Sequence, residues 1–149
     1  MPVSIVRAHT SSDLGRRAAR FAPVAAVCIV VATVANLGLY AIGKAADAAL
    51  RIDPGAGEPN HVIVPGDVAW KTAVPLALGA LMLALIARRS RRWTMIAIVA
   101  GVAGVIITIP FVLTGAHDLT TGLLLAGMHT IGGLTYAVIG MRARLNAKA

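Results

Sequence analysis

Four uncharged and largely apolar runs, of 16 to 24 residues, limit what this chain can fold into. They cover residues 21–43, 72–87, 93–116 and 119–141. An α-helix rises 1.5 Å per residue, so about 20 apolar residues cross a hydrocarbon core of ~30 Å. In lipid every backbone N–H and C=O must be satisfied within the protein, which helices do without a partner strand. With 149 residues in all and 13% of them charged, little chain is left for a soluble domain. The expected fold is all-α, a four-helix transmembrane bundle.

The second run is the shortest. Trp70 suits an interfacial anchor and Lys71 can extend its ammonium towards water, so the helix is expected to start near Val68. The expected spans are then about 21–43, 68–87, 93–116 and 119–141. Pro75 falls in the first turns of the second span, where a missing N–H matters least. Arg88–Arg92 makes a five-residue connection with four positive charges, which forces spans two and three into an antiparallel hairpin. His117 and Asp118 are all that separate spans three and four. The first run exceeds the 7–15 apolar residues of a signal peptide, so it reads as a retained span despite the small residues around Ala45–Ala48.

Residues 44–67 form the one long loop. Asp53-Pro54-Gly55 and Pro65-Gly66-Asp67 mark turns within it. The apolar run His61–Val64 reads as a strand-like dip towards the membrane surface, and Ala45–Leu50 as an extension of the first helix. Residues 1–20 form a basic arm, flexible apart from a short interfacial helix, and residues 142–149 a basic tail. Lys and Arg number 4 in the arm, 4 in the second connection and 3 in the tail. The long loop and its edges hold 3, against 4 acids. By the positive-inside rule both termini are expected in the cytoplasm, with the long loop outside and the cell membrane as the location.

The net charge of +8 sits at span ends, where it sets orientation and meets anionic lipid. No basic stripe is interleaved with aromatics, so nucleic acid is not an expected partner. The expected partners are the lipid bilayer and either a second copy of the chain or a larger membrane complex. The single cysteine, Cys28, allows neither an intramolecular disulfide nor a cysteine-based metal site.

Chemistry concentrates in the fourth span. Positions 118, 122, 125, 129, 132 and 136 share one helical stripe, reading Asp118, Gly122, Leu125, His129, Gly132, Tyr136. By helical rise His129 lies ~15 Å below the outer end, beside Asn36 at ~10 Å, Thr33 at ~15 Å and Thr108 at ~12 Å on other spans. Polar groups unpaired in hydrocarbon cost several kcal/mol, so this layer is expected to pair internally or hold water. One reading is a pocket or proton-handling site opening outward past Asp118. The other is an interhelical hydrogen bond that fixes packing.

Known chemistries fit poorly. Bis-histidine haem needs two intramembrane imidazoles, and the chain offers one. Proton-coupled antiport needs a carboxylate inside a span. A hydrolase needs a nucleophile beside a base, and Cys28 lies in the opposite half of the bilayer from His129. His61, Asp67 and Glu58 in the loop match no metal-site spacing. No catalytic residue, metal or cofactor is expected. Small residues at Gly101, Gly104, Gly122, Ala126, Gly127, Gly132 and Gly133 are expected to let helices approach closely.

The chain resembles the small actinobacterial four-span membrane proteins grouped as a domain of unknown function. The resemblance rests on Asn36, Val62-Ile63-Val64-Pro65-Gly66, Ala87-Arg88-Arg89 with Arg91-Arg92-Trp93, and the stretch from Asp118 through Met128-His129. It covers about residues 20–142 and implies a multi-pass plasma-membrane protein with no activity to inherit. Two functions stay open. One is a structural or accessory membrane component with a filled interior. The other is a protein that handles a small molecule, proton or ion around His129.

Overall fold

The computed structural model describes residues 4–55 and 57–147. Four helices dominate it: α1 (Ser4–Ala45), α2 (Pro65–Ala87), α3 (Arg91–Gly115) and α4 (Leu119–Leu145). Each contains a stretch long and apolar enough to cross a membrane. They alternate in direction, with the long connection and the α3–α4 turn together at one end. The α2–α3 turn and the start of the apolar part of α1 lie at the other.

Local chemistry moves several boundaries from those the sequence suggests. α1 runs back to Ser4, so the backbone of the basic arm is helical and continuous with the first span. It stops at Ala45 instead of continuing to Leu50. Asp47 takes a left-handed φ of 53°, and the N–H of Ala48 donates to the Gly43 carbonyl. This six-to-one closure satisfies carbonyls that the ended helix leaves free. α2 begins earlier than expected, with Pro65 at its first position, where no N–H is needed. The Asp67 carboxylate accepts from the Val64 N–H at 3.3 Å and closes the start. Pro75 is therefore interior to α2 and not in its opening turns. The α2–α3 connection shrinks to residues 88–90, because Ser90 caps α3 by accepting from the N–H groups of Arg92 and Trp93.

The long connection folds back on the helices. Strands β1 (Arg51–Ile52) and β2 (His61–Val62) pair antiparallel, Arg51 opposite Val62. Two residues each cannot form a sheet alone. Here Ile52 also bridges to Ala116, with the Asp53 N–H donating to the Gly115 carbonyl and the His117 N–H to the Arg51 carbonyl. The expected dip at His61 is thus one rung of a short ladder tied to the α3–α4 turn. A second tie runs to α4. Its N-cap Asp118 accepts from the Ala49 N–H at 3.0 Å, and the fully buried Thr121 hydroxyl accepts from the Leu50 N–H at 3.0 Å.

Two apolar clusters hold the bundle. One joins Ala25, Leu83, Ala87, Ile98, Ile139 and Ala143 at the α2–α3 turn end, with Cys28 packed against it. The other joins Leu50, Ile63, Val68 and Met128 under the long connection. α3 lies closest along α4, while α2 and α3, though consecutive, touch each other little. Glycine explains the first contact. A Cβ at Gly140 would lie 2.4 Å from Ile98, and one at Gly133 3.0 Å from Val105. Gly104 and Gly132 depart from the expected close-packing role, since a Cβ at either would meet nothing within 4 Å.

Candidate functional site

The space those two glycines face is a cavity of about 840 Å³ between α2, α3 and α4. Its floor is Tyr136. A Cβ at Gly79 of α2 would come within 2.9 Å of that ring, and one at Gly101 of α3 within 2.2 Å. The ring therefore fills the gap where α2 and α3 meet, and its hydroxyl donates to the Ala97 carbonyl at 3.1 Å. Beyond Tyr136, towards the α2–α3 turn, side chains fill the interior. On its other side the helices part and the cavity runs to the long connection, where Ile52, Pro54, Glu58 and His61 edge it. Val68, Leu76, Val105, Val112 and Leu125 supply apolar wall.

Polar groups interrupt that wall. Asn36 of α1 is 2% exposed, and its Nδ2 donates to Thr72 Oγ1 at 2.9 Å and to the Met128 carbonyl at 3.4 Å. A carbonyl only accepts, so this fixes which end of the amide is nitrogen. Asn36 Oδ1 is buried and has no hydrogen-bond partner among the described residues. His129 lines the same space, with Nδ1 2.9 Å from the Leu125 carbonyl. Nδ1 must carry the proton in that bond, which leaves Nε2 of the neutral ring as an acceptor. Thr108 lines it too, its hydroxyl donating to the Val105 carbonyl at 2.7 Å. Pro75, on the facing wall, withholds the N–H that the Lys71 carbonyl would otherwise receive.

At the rim, His61 Nε2 lies 2.9 Å from Asp67 Oδ2, and Lys71 Nζ lies 3.5 Å from Asp67 Oδ1. Asp67 is thereby occupied from both sides, and β2 is pinned to the start of α2.

Sequence reasoning placed Asn36, Thr108 and His129 at one depth, and all three line one cavity. They do not bond one another. His129, Thr108 and Thr33 each return a hydrogen bond to their own helix, at the carbonyls of Leu125, Val105 and Ile29. Thr33 is not among the lining residues. Asp118 also stands apart, since it caps α4 and holds Ala49, so the cavity reaches the loop side past Asp67 and Glu58 instead. Thr72 was overlooked, although a threonine one turn above Pro75 and opposite Asn36 by depth was a usable signal. Tyr136 was placed on the His129 stripe but not recognised as the floor.

The chain matches no curated protein and no solved structure. Residues 16–147 match one family of proteins, over the whole bundle and both ends of the cavity. The chain belongs to DUF6069, a family of unknown function.

Proposed function

We propose that this chain is a four-span protein of the cell membrane, with both termini cytoplasmic, that binds a small molecule in the cavity between α2, α3 and α4. The observation that carries the reading is the cavity itself. At about 840 Å³ it falls in the range of small-molecule sites, ~300–1,000 Å³, and is apolar with a few polar groups converging on it. Pro75, Gly104 and Thr108 are exposed along its α2–α3 side, so the space can admit a molecule from the bilayer as well as from the loop end. The basic segments 1–20, 88–92 and 142–149 favour the orientation, which turns the cavity's open end away from the cytoplasm.

Native mass spectrometry of the protein released from bilayer nanodiscs tests the reading. The parent is expected to carry a bound small molecule. A Gly104→Leu, Gly132→Leu double variant fills space that is open at both positions, and is expected to fold and lose that mass. A parent with bare polypeptide mass, or a filled variant that keeps the adduct, counts against it.

A further inference from the structure

The polar lining is lopsided in a way that specifies its occupant. Asn36 Oδ1 is a buried acceptor without a donor among the described residues. In the neutral ring His129 Nε2 is an acceptor, since Nδ1–H is committed to the Leu125 carbonyl. Thr108 has spent its proton on the Val105 carbonyl and keeps only lone pairs. The Lys71 carbonyl has lost its helical donor to Pro75. One interior donor remains: the Thr72 hydroxyl accepts from Asn36 Nδ2, and its own proton has no acceptor among the described residues. A free acceptor and a free donor thus sit side by side, on residues 2.9 Å apart at their contact.

We infer that the cavity takes a hydroxyl-headed amphiphile, whose alcohol donates to Asn36 Oδ1 and accepts from Thr72 while its apolar body lies along α3 and α4. This rests on the binding reading above and names the ligand's chemical class. An ionised carboxylate head offers only lone pairs to a wall of lone pairs, and Lys71, the one Lys or Arg among the described lining residues, is engaged by Asp67. An ammonium head would give up its hydration for neutral acceptors, a large cost in an apolar chamber. Of the two carboxylates that line the cavity, Asp67 is held by His61, Lys71 and the Val64 N–H, and Glu58 is exposed to solvent on the long connection. A neutral hydroxyl needs one donor and one acceptor, which is what Thr72 and Asn36 leave open. Leaving Asn36 Oδ1 unpaired is costly, so its satisfaction favours the alcohol over an otherwise equal apolar molecule.

The test uses the full chain in bilayer nanodiscs and two photoreactive probes, a medium-chain alcohol bearing a diazirine and its methyl ether. Labelled positions are read by peptide mass spectrometry. The alcohol is expected to label cavity-lining segments of α2, α3 and α4 about tenfold more than the ether, the worth of one buried hydrogen bond. Asn36→Ala, which removes Oδ1, is expected to erase that preference. Thr72→Val removes a donor that alcohol and ether accept from alike, so it is expected to weaken labelling by both and keep the preference. Thr130→Val is expected to change neither. Thr130 is exposed, bonds its own helix and lies outside the cavity lining. Equal labelling of cavity peptides by both probes overturns the hydroxyl inference while leaving small-molecule binding intact. Labelling of lipid-facing peptides alone, by either probe, overturns the binding reading and this inference with it. A preference that survives in Asn36→Ala, or labelling untouched by Thr72→Val, shows that the Asn36–Thr72 pair is not the head-group site.

Discussion

The ring of Tyr136 rests against the bare backbone of Gly101, so closely that a Cβ there would lie 2.2 Å from its Cε1. The ring cannot retreat. Gly79 confines its other edge, and the hydroxyl is fixed to the Ala97 carbonyl. Tyr136 therefore decides where the filled half of the bundle ends and the open half begins.

Gly101→Ala is accordingly expected to destabilise the bundle by about 1–3 kcal/mol, the usual cost of overpacking a fixed contact. Gly104→Ala, one turn away on the same helix, meets open space and is expected to be neutral. Thermal unfolding in one detergent compares the two. Adding Tyr136→Leu to Gly101→Ala is expected to recover part of the loss by removing the obstructing ring. Equal melting temperatures for the two single variants would show that Tyr136 is not held in place.

Asn36 and His129 occupy one cavity but differ in what they hold together. Asn36 joins α1 to α2 and α4, whereas His129 bonds only the preceding turn of its own helix. Asn36→Leu is expected to cost about 1–3 kcal/mol, because Thr72 loses its donor and the hydrogen bonds from α1 to α2 and α4 are both lost. His129→Leu is expected to fall within about 0.5 kcal/mol of the parent, as substitutions away from packed networks do. Denaturation of both variants in matched detergent measures this. The reverse order would make His129 the structural residue and Asn36 the dispensable one.

Legibility in the sequence followed the range of the interactions. The four long apolar helices were readable because length and hydropathy are properties of each segment alone, with no knowledge of its neighbours. Helix ends were less so: the stop at Ala45 depends on Asp47 accepting a left-handed φ, which the run Ala45-Ala46-Asp47-Ala48 does not advertise. The polar layer was located by counting rise along each helix, which gives depth but not rotation. Depth alone could not distinguish an Asn36–Thr72 bond from an Asn36–His129 bond, nor tell that Gly104 and Gly132 border space while Gly133 and Gly140 border side chains. The direction of Thr33 and Thr108 was settled by a general habit of threonine in helices, bonding back to the previous turn, which depth arguments overlook.

Asp118 ties the long connection to α4, and its ionisation should be felt there. The Thr121 hydroxyl and the Thr121 N–H, helped by the Ala49 N–H, hold its carboxyl below the usual carboxylate range. A carboxyl depressed in the folded state contributes stability above its unfolded value, near ~3.9, and loses it as pH falls through the lower folded value. Asp53, bonded by the Asn60 N–H and by His117, is depressed in the same sense. The connection is therefore expected to stay docked through the neutral range and to loosen only in strong acid. Amide hydrogen exchange at Ala49 and Leu50 reports it directly. Asp118→Asn keeps only one of the two oxygens that accept from Ala49 and Thr121, so its protection should be partial and independent of pH, while Asp118→Ala should be unprotected even at neutral pH. Loss of protection beginning near neutral pH in the parent would show that Asp118 is not what holds the connection.

Orientation decides which compartment the cavity serves, and charge at the two ends of the bundle predicts it. The α2–α3 turn carries Arg88, Arg89, Arg91 and Arg92 at the end where Tyr136 and the Leu83–Ile139 cluster close the interior. The opposite end carries the hairpin, where Asp53, Asp67 and Asp118 are each engaged in hydrogen bonds. Lys and Arg resist transfer across the membrane during insertion, while acids contribute little. In a Cys28→Ala background, a cysteine at Gly57 is expected to react with an impermeant thiol reagent on intact cells. A cysteine at Ser90 is expected to react only after the membrane is opened. Gly57 takes a φ of 137°, so a side chain there strains the connection locally, and Ser90 caps α3 at the far end; neither change touches the cavity floor at Tyr136. If Ser90 labels on intact cells and Gly57 does not, the cavity opens to the cytoplasm, and its ligand must then be sought among molecules of that side.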